Sequence, residues 1–116
     1  SLDLSRLCRE SGVGAVVEAA LVPVSEAASA MAAGSGRSPL QHALADGEDF
    51  ELLVALPPRA WRAFAEHAAA PSGSYAASGM ARFTRIGELR AEPELVLKTE
   101  DGGLRPLRPE GYQHQW

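Results

Sequence analysis

The chain has 116 residues, of which 46% are hydrophobic and 22% are charged. This length and composition predict a single domain over residues 1–116 with an apolar core. The formal net charge of −4 argues against nucleic acid or an anionic membrane as a partner. The sequence has neither an apolar run of about 20 residues that could span a bilayer nor a recognisable signal peptide. One cysteine, Cys8, excludes an internal disulfide, so we expect a cytoplasmic protein.

The first half of the chain predicts a helix, a strand and two further helices. Leu4, Leu7 and Cys8 share one helical face, and Gly12 is a typical C-terminal stop. The segments that follow predict a buried strand over residues 13–18, a helix capped by Ser25 that ends near Ala33, and a helix that opens at Ser38-Pro39 and ends near Ala45.

The second half predicts further strands and another helix. Residues 50–56 alternate with one wholly apolar face, which predicts the most regular strand of the chain. Pro57-Pro58 ends that strand and begins a helix with Trp61 and Phe64 on one face. Further strands are predicted over residues 83–90, 95–99 and 104–107, the last two joined by a turn at Asp101-Gly102-Gly103. Interleaved helices and strands indicate an α+β fold with a mixed sheet packed with helices.

The densest polar cluster is Asp46-Gly47-Glu48-Asp49, between a predicted helix and a predicted strand. These carboxylates, with a glycine that permits close backbone approach, suit a cation or a cationic substrate. The same composition is typical of a solvated turn, and spacing alone leaves both interpretations open. The spacing of a calcium-binding loop is missing.

The remaining reactive residue types form no complete catalytic set in the sequence. His42, His67 and His114 are far apart and lack partners at metal-ligand spacing, so we predict no metal site. Cys8 lies on an apolar helical face and is predicted to belong to the core rather than to act as a nucleophile. From the residues alone, therefore, we assign no catalytic residue.

Several motifs together resemble one enzyme family. Gly47-Glu48-Asp49-Phe50-Glu51-Leu52-Leu53 resembles the Gly-Glu-Asp-Tyr-Glu-Leu-Leu run of bacterial thiamine-monophosphate kinases. The opening residues 2–15 and the closing Gly111-Tyr112-x-His114 resemble the corresponding parts of the C-terminal domain of that family. The resemblance covers essentially the whole chain and implies the fold of the aminoimidazole ribonucleotide synthetase-related superfamily.

This resemblance implies a function for the complete two-domain protein. The family transfers a phosphoryl group from ATP to thiamine monophosphate, which gives thiamine diphosphate. ATP and Mg²⁺ are bound mainly by an N-terminal domain, which also forms a homodimer. The present chain would then be the C-terminal substrate-recognition domain, a partner of that N-terminal domain, inactive by itself and without a cofactor of its own.

The resemblance also implies substrate-binding residues. The Glu of Gly-Glu-Asp contacts substrate in the family, and this role maps onto Glu48. Asp49 is adjacent and would order the turn or face solvent. A C-terminal aromatic residue of the family corresponds to Gln115 without a gap, but Trp116 is the chemically better candidate because an indole can stack on a flat cationic heterocycle. Asp46 stands where the family usually has a second glycine.

Two other functional interpretations remain open on the sequence. One is a non-catalytic binding or assembly module that has kept the same fold. The other is a related ATP-dependent enzyme of the superfamily that acts on a different substrate.

Overall fold

The computed structural model describes residues 1–47, 52–69 and 83–111. It contains helices and a mixed sheet, which confirms the predicted α+β class. The chain divides into two compact units, one of Ser1–Leu53 with Thr84–Trp116 and the other of Val54–Phe83. A single domain over residues 1–116 stays a prediction.

Local signals predict where the helices begin and where most of them end, but the second helix continues to Ser35 rather than ending near Ala33. Gly12 has φ of 65° and ends α1 in the left-handed conformation that glycine adopts without steric cost. Ser25 accepts a hydrogen bond from Ala28 N–H, and Ser38 forms a capping box with Gln41. The helices are α1 (Leu2–Ser11), α2 (Glu26–Ser35), α3 (Pro39–Ala45) and α4 (Pro58–Ala69), with a short 3-10 turn at Ala19–Leu21.

One sheet brings together strands that are distant along the chain. Its order is β2-β1-β3-β4, with β1 parallel to β3 and both other pairings antiparallel. The hairpin between β3 and β4 turns through Gly102, whose φ is 84°, as the sequence predicts. The strands are β1 (Gly14–Glu18), β2 (Gly87–Arg90), β3 (Leu95–Lys98) and β4 (Leu104–Pro106).

The core of the first unit lies between α1 and the sheet. Burial raises the pKa of the Cys8 thiol, and the side chain is 3% exposed, which agrees with its predicted place in the core. Around this core pack partly buried residues of α3 as well as of the sheet, which fixes α3 relative to the strands. The buried cluster consists of Leu4, Cys8, Ala15, Val17 and Leu97.

The strand predicted over residues 50–56 is wrong in its described part, which begins at Leu52. The segment 52–57 has no regular secondary structure, and the pairings of the sheet do not involve it. Leu52 is 85% exposed, so the apolar face that the alternation creates lies open. Alternation fixes which side chains share a face, but a strand also needs a neighbouring backbone to pair with. The strand predicted from residue 83 likewise begins only at Gly87.

The second unit is organised by aromatic contacts around α4. The Trp61 and Phe64 rings lie 5.8 Å apart between centroids, on the face that the sequence predicts. Phe83 meets Phe64 edge to face at 5.2 Å. The second contact connects α4 with Phe83, the last residue of this unit.

Candidate functional site

The substrate-binding residues predicted from the sequence, Glu48, Asp49 and Trp116, lie outside the described residues, as does Gln115. The chain is described up to Gly47 on one side and again up to Gly111 before the tail. The structure therefore describes only the residues that precede these predicted residues along the chain. The last of them with a charged side chain are Asp46 and Glu110.

Asp46 is joined to a buried histidine. His42, on α3, is 4% exposed, and its Nδ1 lies 2.7 Å from Oδ2 of Asp46. Its other ring nitrogen, Nε2, lies 2.7 Å from Oγ of Ser35, the last residue of α2. With the proton on Nδ1, His42 donates to Asp46 and accepts from the Ser35 hydroxyl. The imidazole thus links the ends of α2 and α3.

The second carboxylate oxygen of Asp46 binds Arg37. Arg37 Nη1 donates to Oδ1 at 2.9 Å, and Nη2 donates to the Gln41 carbonyl at 3.1 Å. The hydrogen bond from His42, followed by the charge of Arg37, lowers the pKa of Asp46 below its ordinary value of 3.8. Asp46 is therefore an ionised carboxylate with a partner on each oxygen.

Arg37 also reaches the start of the C-terminal tail. Its Nη2 lies 3.9 Å from Oε2 of Glu110, an ion pair at longer range than a direct hydrogen bond. A second connection runs through Ser1, whose backbone nitrogen donates to the Leu44 carbonyl and whose Oγ accepts from Glu110 N–H at 3.0 Å. Ser1 therefore joins Glu110 to the end of α3. We call Ser35, Arg37, His42, Asp46 and Glu110 the anchor network.

Two hydrogen bonds connect Ser35, His42 and Asp46 in the order of a nucleophile, a base and an acid. Such a triad would catalyse acyl transfer if donors also stabilised a developing oxyanion. Ser35 instead lies at the C-terminus of α2, where the helix dipole disfavours negative charge. Its Oγ also accepts from Arg37 N–H at 3.2 Å. The arrangement therefore fits a structural connection better than a nucleophilic centre.

Sequence reasoning missed this network. It considered His42 only as a metal ligand and found no partner at such spacing, although the spacing to Asp46 is one helical turn (i, i+4). That spacing was a detectable signal. The contacts to Ser35 and Glu110 depend on how α2, α3 and the tail meet, which local patterns do not encode.

The described residues do not fit a metal centre. Among them, no group of three His, Cys, Asp or Glu side chains is placed to hold an ion. Within the same residues, no helix combines the length and apolar character needed to cross a membrane.

Comparison with curated proteins gives a relative that agrees with the motif resemblance. A protein named thiamine-monophosphate kinase from Rhodopirellula baltica is 35% identical over 114 residues, or 98% of this chain. The chain is similar to part of a thiamine-monophosphate kinase. It spans 33% of the length of that relative. No family model matches the chain. No solved structure matches it either.

Similarity over nearly the whole chain confirms the resemblance to a domain-sized part of this kinase. At this level of identity the two chains are expected to share a fold, and the match includes the positions of the acidic run and of α1. The likeness supports a kinase-related domain.

Proposed function

We propose that this chain is the substrate-recognition domain of a thiamine-monophosphate kinase. The observation that carries the proposal is the similarity to a kinase of that name over 98% of the chain. The complete protein would transfer a phosphoryl group from ATP to thiamine monophosphate, in the cytoplasm and as a homodimer. A separate N-terminal domain would bind ATP and Mg²⁺.

The chemistry of this reaction suits a domain without a catalytic base. The acceptor is a phosphate oxygen that is already anionic, so the reaction depends on positioning and charge neutralisation rather than on proton removal. The domain must therefore hold the thiamine part in place. A carboxylate suits the thiazolium cation or the aminopyrimidine amino group, and an indole face suits either ring. Glu48 and Trp116 would supply these groups.

The anchor network narrows the choice of carboxylate in the acidic run. Both oxygens of Asp46 have protein partners, so its charge is already balanced within the fold. Glu48 and Asp49 follow it in sequence. The anchor network therefore leaves Glu48 and Asp49 as candidates in this run, and the family resemblance points to Glu48.

The test is a kinase assay on the complete natural protein that contains this chain. Thiamine diphosphate formation is measured with ATP, Mg²⁺ and thiamine monophosphate, and the 116-residue chain is assayed in parallel. We expect product from the complete protein and none from the chain alone. A complete protein that binds ATP with Mg²⁺ but does not phosphorylate thiamine monophosphate would contradict the proposal and favour another substrate.

A further inference from the structure

We propose that the outer edge of β2 pairs with the same edge of a second copy of this chain, so that the two sheets join into one. The order β2-β1-β3-β4 makes β2 and β4 the edge strands of the sheet. An edge strand presents backbone N–H and C=O groups that can pair with a further strand. The inference concerns association of this chain with itself and does not depend on the proposed function.

The outward backbone groups of β2 belong to Gly87 and Leu89. Glu18 N–H donates to the Ile86 carbonyl at 2.9 Å, so these two residues form a hydrogen-bonded pair of the ladder. Along an antiparallel ladder such pairs alternate with pairs whose backbone groups point away from the neighbouring strand. The register of β1 and β2 places Gly87 and Leu89 in pairs of the second kind. No other described residue forms a backbone hydrogen bond with either of them.

The opposite edge of the sheet is less suited to pairing. Leu107 N–H donates to the Leu95 carbonyl at 2.9 Å and continues the ladder of β3 and β4. By the same alternation, Leu104 and Pro106 point their backbone groups away from β3. Proline has no N–H, so of these two residues Leu104 alone can donate. Since β2 has an outward donor at both positions, it is the better edge for a further strand.

The side chains of β2 complement a second β2 that runs antiparallel to it. When Leu89 faces Leu89 of the second copy, the two residues exchange their backbone hydrogen bonds, and Glu88 of each copy faces Arg90 of the other. Opposite charges directly across two strands stabilise the pairing. The Leu89 side chain is 43% exposed, so two facing leucines remove apolar surface from water.

The charges also choose the register. A pairing that places Glu88 opposite Glu88 would bring like charges together, which is destabilising. Both charged side chains are available for the pairing around Leu89, because Glu88 is 69% exposed and lies 3.7 Å from Arg85, beyond direct hydrogen-bond range. Arg90 Nη2 lies 3.2 Å from Glu94, and no second carboxylate of the described chain pairs with this arginine.

The first experiment measures association of the 116-residue chain by sedimentation equilibrium. A strand of four residues gives a small interface, so we expect a dimer with a dissociation constant of roughly 0.1–1 mM. Leu89→Lys places like charges opposite each other and should weaken the dimer at least roughly tenfold. Leu104→Lys, at the exposed leucine of the other edge, is the matched control and should stay within about twofold.

A chain that is still monomeric at about 2 mM would overturn the inference, as would equal effects of the two lysine substitutions. Another occupant of the edge has its own signature. If Leu89→Lys lowers the thermal midpoint of the complete natural protein while the chain by itself stays monomeric, another segment of that protein covers β2, and self-pairing is overturned.

The second experiment tests the register and does not depend on the lysine variant. Glu88→Gln removes the charge that faces Arg90 and should weaken the dimer roughly threefold to tenfold. Glu10→Gln, at an exposed glutamate of α1 paired with Arg9, is the control and should match the parent. Glu88→Arg should weaken the dimer further, and the double change Glu88→Arg with Arg90→Glu should restore part of the loss. A tighter dimer in Glu88→Gln would show that Glu88 faces Glu88 and would overturn the proposed pairing.

Discussion

Nδ1 of His42 lies 2.7 Å from Oδ2 of Asp46, so a buried imidazole and the first carboxylate of the acidic run form one hydrogen-bonded pair. The pair stands on α3, whose N-terminus is fixed by the capping box of Ser38. It joins Asp46, which stands where the family usually has a second glycine, to a buried residue of α3.

The first prediction concerns the hydroxyl group at the end of α2. Ser35→Ala removes the partner of His42 Nε2, which leaves a polar atom of a buried ring unsatisfied. We expect the free energy of unfolding to fall by about 1 kcal/mol, measured by urea denaturation. Ser29→Ala is the control on the same helix. Its hydroxyl is exposed and binds the Ser25 carbonyl, so a change within about 0.5 kcal/mol is expected. Equal effects of the two changes would argue against the network.

The second prediction concerns the pH dependence of stability. The pKa of Asp46 is lowered in the folded protein by the hydrogen bond from His42 and by Arg37. A lowered pKa stabilises the fold above the ordinary value of 3.8, and this contribution is lost as the pH falls through the folded pKa. We therefore expect Asp46→Asn to destabilise the protein near neutral pH and to flatten the decline in stability on the acid side. Urea denaturation between about pH 6 and about pH 3 measures both effects. If the free energy of unfolding declined on the acid side as steeply in Asp46→Asn as in the parent protein, the prediction would be contradicted.

The third prediction concerns the turn between β3 and β4. Thr99 Oγ1 donates to Asp101 Oδ1, and Gly103 N–H donates to the same oxygen at 3.1 Å. These bonds, that of Thr99 first, lower the pKa of Asp101 below its ordinary value of 3.8. Thr99→Val should raise this pKa toward that value, as observed in an NMR titration of the Asp101 carboxyl group. Thr84→Val, at an exposed threonine before β2, should leave it unchanged.

The fourth prediction concerns a close approach of backbone in the sheet. A Cβ at Gly14 would overlap the carbonyl oxygens of Glu92 and Glu94, which are backbone atoms that cannot move aside separately. We expect Gly14→Ala to lower the free energy of unfolding by about 3 kcal/mol. Gly34→Ala is the control, because a Cβ there meets no atom within 4 Å and alanine favours the helix. A gain of about 0.5–1 kcal/mol is expected for it. If Gly14→Ala left the free energy of unfolding unchanged, β1 and the segment before β3 would not approach each other as closely as the structure shows.

The fifth prediction concerns the proposed substrate contact. In the complete protein, Glu48→Ala should lower kcat/KM for thiamine monophosphate roughly tenfold to a hundredfold, as expected for loss of a charge-assisted hydrogen bond. The thermal midpoint should be almost unchanged. Glu10→Ala, at an exposed residue of α1 paired with Arg9, is the matched control and should behave as the parent. Unaltered kinetics in Glu48→Ala would remove this residue from the site.

Much of the fold could be predicted from the sequence, whereas little of the site could. The helix ends at Gly12, Ser25 and Ser38 follow from side-chain and backbone chemistry within a few residues. The strand predicted through Leu52 was wrong, because alternation is a local pattern whereas a strand forms only where it pairs with another segment of the chain. Motif resemblance named Glu48, Asp49 and Trp116, which stay predictions. It could not indicate Arg37, whose role depends on contacts with distant parts of the chain.

Local sequence signals predict the α+β class, most helix boundaries and the β3–β4 hairpin, and short motifs carry the resemblance to a kinase domain. These depend on caps, glycines, prolines and short periodic patterns, which act over a few residues. The three-dimensional fold shows that β1 pairs with β3 in parallel and that Arg37 forms ion pairs with both Asp46 and Glu110. Contacts between distant segments form only where packing of the core brings them together. For that reason the composition of the acidic run and the helical spacing of His42 to Asp46 were visible in the sequence, while the contact between Asp46 and Arg37 emerged from the fold.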